Sequence, residues 1–188
     1  MKRICINCGS NHGADEIYRV EAANLGKYLA RRGIGIVFGG ADVGLMGEIA
    51  NAALAEKGEV IGVIPESLAA KVAHRGLSKL HVVPTMHQRK QLMFDLADGV
   101  IAFPGGLGTL DEIFEVITWG QLGQHQKPCG FLNIENYFGK LLEFLDFAVE
   151  KKFIKPPHRD MIISENNIEK LLEKFYAYQP PTVEKWFR

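Results

Sequence analysis

The chain of 188 residues has no excess charge of either sign, few cysteines and no long apolar run. Lys and Arg total 22 and Asp and Glu total 22, so no global positive field draws nucleic acid and no polybasic segment suits an anionic membrane. The partner left is a small molecule. Three cysteines, an odd number, are too few for a disulfide framework in a chain of this length. No stretch approaches the roughly 20 apolar residues of a membrane span. Lys2-Arg3 leads through Ile4-Cys5-Ile6-Asn7-Cys8 into polar and Gly residues, unlike a signal peptide. A cytoplasmic protein is expected. Cys5 and Cys8 form a C-x-x-C, but within a strand a separation of three puts them on opposite faces, and no second Cys or His pair completes a metal site. They read as buried thiols. His12, His74, His81, His87, His125 and His158 show no ligand spacing either, and only His87 falls near the segment singled out below.

With 47% hydrophobic and 23% charged residues, a single domain over 1–188 is expected. Short apolar runs alternate with helical patterns. They predict strands over 4–8, 35–38, 60–64, 80–83, 99–103, 129–133 and 161–163. Helices are predicted over 15–32, from the 39–47 segment to about 57, over 86–97, 110–122 and 137–150, and last to about 178, with a turn-like region from Pro65. Strands apolar on both faces and separated by helices imply a parallel sheet covered on both sides: an α/β, doubly wound, Rossmann-like fold. Right-handed crossovers put every strand-to-helix loop at the carboxyl edge, where ligands bind.

Nine of the twenty glycines cluster in 33–47 and 105–108, at two such loops. After Phe103, Pro104 ends a strand, Gly105, Gly106 and Gly108 allow close backbone approach, and the following helix start offers unpaired N–H groups with a positive dipole end. A phosphate fits there. Neither loop is a Walker A motif, and the dinucleotide fingerprint is missing after the first strand, where Cys8-Gly9-Ser10-Asn11-His12-Gly13 stands. A mononucleotide or sugar phosphate remains.

Thr109-Leu110-Asp111-Glu112 matches a capping box, which would only close a helix start. Yet Leu110, Ile113, Phe114 and Ile117 hold the core stripe, so Glu112 projects from the first turn beside the anion site. A carboxylate is awkward there unless it serves a cationic state, and a developing oxocarbenium ion at a sugar carbon is one. Arg89 precedes Leu92, Met93 and Leu96 by three, four and seven residues, so it points along an apolar face and needs a partner. That partner is Glu112, or Asp95 or Asp98 in a merely structural ion pair.

Met86-His87-Gln88-Arg89-Lys90, Pro104-Gly105-Gly106-Leu107-Gly108-Thr109-x-x-Glu112, Val116-Ile117-Thr118-Trp119-Gly120-Gln121-Leu122-Gly123 and Gly39-Gly40-x-x-x-Gly44-Leu45-Met46-Gly47 together resemble the LOG ("Lonely Guy") family over nearly the whole chain. The resemblance implies a phosphoribohydrolase that cleaves the N-glycosidic bond of a nucleoside 5'-monophosphate, a cytokinin riboside monophosphate or AMP, to free base and ribose 5-phosphate. It implies Arg89 and Glu112 as the catalytic pair. Substrate contacts fall to Lys90, Gly105, Gly106, Leu107, Gly108, Thr109 and Thr118, with Gly40, Gly44 and Met86 also assigned to the site. A homodimer with sites near the interface, and no metal or organic cofactor, follow from the same resemblance. One departure bears on base preference: plant members carry an acidic substrate contact where this chain has Val72. Two other readings of the fold are a non-catalytic nucleotide or molybdenum-cofactor carrier, which has no use for a carboxylate beside its anion site, and a pyridoxal-dependent lysine decarboxylase, for which no suitably placed lysine stands out.

Overall fold

In the computed structural model, which describes residues 1–181, seven strands pair side by side and all in parallel. They are β1 Arg3–Asn7, β2 Gly35–Phe38, β3 Val60–Pro65, β4 Lys79–Val83, β5 Gly99–Ala102, β6 Cys129–Leu132 and β7 Ile162–Glu165, in the order β4-β3-β2-β1-β5-β6-β7. The central strands are short and, Arg3 apart, buried, so both faces are largely apolar and alternate residues feed two cores. Ile4 and Ile6 pack with α1 (Glu16–Arg31), α2 (Gly44–Ala55) and α8 (Ile168–Ala177) through Leu25, Leu29, Ile49, Leu171 and Phe175. Cys5 and Val37 face the other way, toward α4 (Met86–Asp95), α5 (Leu107–Gln121) and α6 (Gly139–Glu150) through Met93, Ile113, Val116 and Leu145. Cys8 belongs to the first core, so the C-x-x-C does split across the sheet, and Cys5, Cys8 and Cys129 are free and buried.

Three elements depart from the sequence expectation. The region after Pro65 is a helix, α3 (Glu66–Val72), which buries no residue and so carries no apolar stripe to announce itself. A short α7 (Pro156–Asp160), with Pro at its start, precedes β7. Most consequential, α5 begins at Leu107 and not at 110. Its N-cap is Gly106, with no side-chain cap, which places Thr109 inside the first turn and Glu112 in the second. Thr109 and Glu112 therefore do not form a capping box. The glycines that weigh against helix by propensity are here the helix start itself.

Candidate active site

The connections reverse direction between β1 and β5: the chain leaves β1 toward β2 and leaves β5 toward β6. Outside the carboxyl ends of two such strands a crevice opens. The gap is laced at its floor by the Gly9 N–H, which donates to the Pro104 carbonyl at 3.0 Å. Above it lies a cavity of about 800 Å³, walled by the loops after β1, β2 and β5, by α3 residues Leu68 and Val72, and by Arg89 and Glu112.

Arg89 and Glu112 meet on that wall. Arg89 Nη1 donates to Glu112 Oε1 at 2.6 Å, with side chains only 12% and 13% exposed. Two further contacts fix the guanidinium: Nε donates to the Val63 carbonyl at 3.1 Å and Nη1 lies 3.2 Å from the Met86 sulfur. Space for it comes from Gly39, where any Cβ would collide with the guanidinium. Asp95 and Asp98, the other partners considered for Arg89, are engaged by Gln91 and by the backbone of Lys2 and Arg3. Burial pushes the Glu112 carboxyl above the ordinary glutamate range, against the opposing pull of Arg89. A carboxylate held by one arginine in a half-dry cleft is suited to stabilise a cation or to orient water.

The end suited to an anion is the start of α5. Its first hydrogen bond runs from the Leu110 N–H to the Gly106 carbonyl at 3.1 Å, so the N–H groups of Leu107, Gly108 and Thr109 precede the ladder. Gly105 must lack a side chain, since a Cβ would collide with Thr109 Oγ1 and crowd Gly9. Gly105, Gly106, Leu107, Gly108 and Thr109 all line the cavity together with Arg89 and Glu112.

Other expected residues fall elsewhere. Lys90, 11% exposed, turns away from the cavity to pair with Asp111 at 3.1 Å and Glu115 at 3.0 Å, behind Glu112. Thr118 is exposed further along α5, its hydroxyl donating to the Phe114 carbonyl. Gly40 and Gly44 stand behind the wall at left-handed φ of 74° and 53°. Gly40 gives its carbonyl to the His74 N–H, and Gly44 admits the backbone of Ser10 and Asn11, beside which the Leu45 N–H donates to the Gly9 carbonyl. The 39–47 segment thus joins loops and seats Arg89, while its residues Gly39, Ala41, Val43, Leu45 and Met46 face the cavity. Met86 reaches the site through Arg89 alone. Val72 does line the cavity, whereas His87 does not and His12 does. The residues around Ser10, Tyr18 and Tyr137 also line it and were missed. The β1 loop was detectable, because the first strand-to-helix turn of such a sheet borders the crevice. Tyr137 had no sequence signal.

The family described as "Possible lysine decarboxylase" matches residues 46–175. The cytokinin riboside 5'-monophosphate phosphoribohydrolase of Rhodococcoides fascians is 48% identical over 170 residues, covering 89% of this chain and 86% of that one. The LOG1 enzyme of the same description from Arabidopsis thaliana is 45% identical over 181 residues, covering 96% and 85%. Among solved structures, the molybdenum cofactor binding protein of Rippkaea orientalis superposes with a TM-score of 0.70 over 94% of this chain and 97% of that one, at 24% identity. The molybdenum cofactor carrier of Chlamydomonas reinhardtii does so at 0.70 over 93% and 98%, with 18% identity. At those identities the two carriers share the fold alone, while identity above 40% over nearly the full length places this chain in the LOG family.

Proposed function

We propose that this chain hydrolyses the N-glycosidic bond of nucleoside 5'-monophosphates, cytokinin riboside monophosphates and AMP among them, releasing free base and ribose 5-phosphate. The observation that carries the reading is the 2.6 Å Arg89–Glu112 pair on the same cavity as the start of α5. Glu112 lies five helical steps beyond Leu107, about 8 Å along the helix axis at about 1.5 Å each, which is the scale of one ribose phosphate. The N–H groups of α5 take the 5'-phosphate and fix the ribose. Glu112, ionised, faces C1' as the bond to the base nitrogen lengthens, stabilises the growing positive charge and orients the water that adds there. The base leaves with the electron pair of the broken bond and takes up the proton that the adding water gives up. Arg89 holds Glu112 in place. Lys90 braces Asp111 and Glu115 behind Glu112 from outside the cavity.

The chain acts as a homodimer with its sites near the interface. A reducing cytoplasm suits its three free thiols. A carrier reading leaves the buried carboxylate without work.

The test is a panel of nucleoside monophosphates, with and without an N6-isopentenyl group, assayed for free base and ribose 5-phosphate. Monophosphates should turn over, triphosphates and unphosphorylated nucleosides poorly. Near wild-type base release by Glu112→Ala would overturn the assignment.

A further inference from the structure

Between β6 and α6 the chain makes an unusual turn. Glu135 and Asn136 are consecutive left-handed residues, with φ of 50° and 56°, and neither is glycine. Asn takes that conformation at low cost, but Glu holds it only where its surroundings impose it. Here Asn133 imposes it from one side: its Nδ2 donates to Asn136 Oδ1 at 3.1 Å, and its Oδ1 accepts the Phe138 N–H at 2.7 Å. Phe138 anchors the other side, buried with its ring centroid 4.7 Å from that of Phe131. What the turn delivers is Tyr137, set over the cavity with its ring edge-on to Tyr18 at 5.7 Å.

The Tyr137 hydroxyl donates to the Gly105 carbonyl at 2.7 Å. That oxygen shares one rigid peptide plane with the N–H of Gly106, the cap of α5, so fixing the oxygen fixes the amide. The preceding peptide is held as well, because the Pro104 carbonyl accepts from Gly9. Gly105, free to turn in isolation, is therefore locked on both sides. The same bond occupies a carbonyl oxygen whose negative end would otherwise oppose an anion nearby.

We propose that Tyr137 is a positioning residue for the phosphate site: it orients the Gly105–Gly106 peptide so that the start of α5 is set for the anion before substrate arrives. The inference rests on reading that loop as the 5'-phosphate site. Tyr137→Phe keeps the ring and removes one hydrogen bond. Its KM for AMP, or for whichever monophosphate the wild type prefers, should rise about tenfold, with kcat within about twofold, since Arg89 and Glu112 are untouched. The Kd of ribose 5-phosphate, measured by titration calorimetry, should weaken by the same factor. Asn133→Ala, which frees the turn, should change KM and Kd in the same direction. A role confined to stability would lower the melting temperature and the active fraction, leaving KM and Kd where they were, and that result overturns the proposal. So does an unchanged Kd in Tyr137→Phe. If the wild type binds ribose 5-phosphate but cleaves no monophosphate, the hydrolase reading fails and the Kd comparison still decides the role of Tyr137. A wild type that neither binds ribose 5-phosphate nor cleaves any monophosphate removes both, while one that cleaves but holds the product weakly leaves KM to decide.

Discussion

Whether Arg89 can reach Glu112 turns on one missing methyl group at the end of β2. A Cβ on Gly39 would occupy the place of the guanidinium, so Gly39→Ala should displace Arg89 while leaving the sheet intact. We expect kcat/KM to fall by about a hundredfold, roughly 2.7 kcal/mol of transition-state stabilisation, with an unchanged far-ultraviolet circular dichroism spectrum. Steady-state kinetics on the purified variant checks it. The raised Glu112 carboxyl gives the pH dependence its sign. Only the ionised form can face a cation, so activity is lost as pH falls through the raised value, and the acid limb should lie above the roughly 4.3 of a free glutamate. Since Arg89 pulls that value down, Arg89→Met should move the limb of its residual activity further up; a limb that stays put would show that Glu112 is not the group titrating. At this scale the pairing of Arg89 with Glu112 was legible, because a cation on an apolar stripe and a carboxylate beside a glycine-rich helix start are both anomalies that demand an explanation. The sequence was silent on Tyr137, whose position depends on a left-handed turn held by Asn133.

Helix starts are where the elements and the site coincide. The 39–47 glycines read as a second phosphate loop, but the structure uses Gly44 as a joint: φ is 53°, and a side chain there would run into the backbone of Ser10 and Asn11. Gly44→Ala should therefore destabilise by about 2 kcal/mol or more, from left-handed strain and the collision together. For a chain of this size that is a fall of roughly 4–8 °C in melting temperature, readable by calorimetry. A variant as stable as the wild type would mean that Gly44 acts on ligand and not on the fold. Helix α5 was legible as an element but its start was misplaced by three residues, since Gly106-Leu107-Gly108 has the composition of a loop. Only the hydrogen bond of Leu110 to Gly106 reveals the first turn. Helix α3 escaped because periodicity detects burial, and it buries nothing.

Across the molecule, the all-parallel sheet and the placement of both glycine loops at one sheet edge followed from alternation and crossover handedness alone, whereas the order of the strands came only from the structure. That edge is where binding energy should register as global stability. Ribose 5-phosphate at a hundred times its Kd should add about 2.7 kcal/mol, raising the melting temperature by roughly 5–11 °C, whereas unphosphorylated adenosine should shift it much less. Equal shifts from the two would place the affinity outside the phosphate loop.

The pairing of β5 beside β1 has a further consequence, in time. Arg89 leaves the ribosome before β5, and Glu112 follows after it, 23 residues later. At about 5–20 residues per second that interval is roughly 1–5 s. Until β5 has seated against β1, a growing chain carries the arginine without its carboxylate. On the proposed mechanism, a chain that stops short of Glu112 holds the arginine without the carboxylate and should not cleave nucleotides.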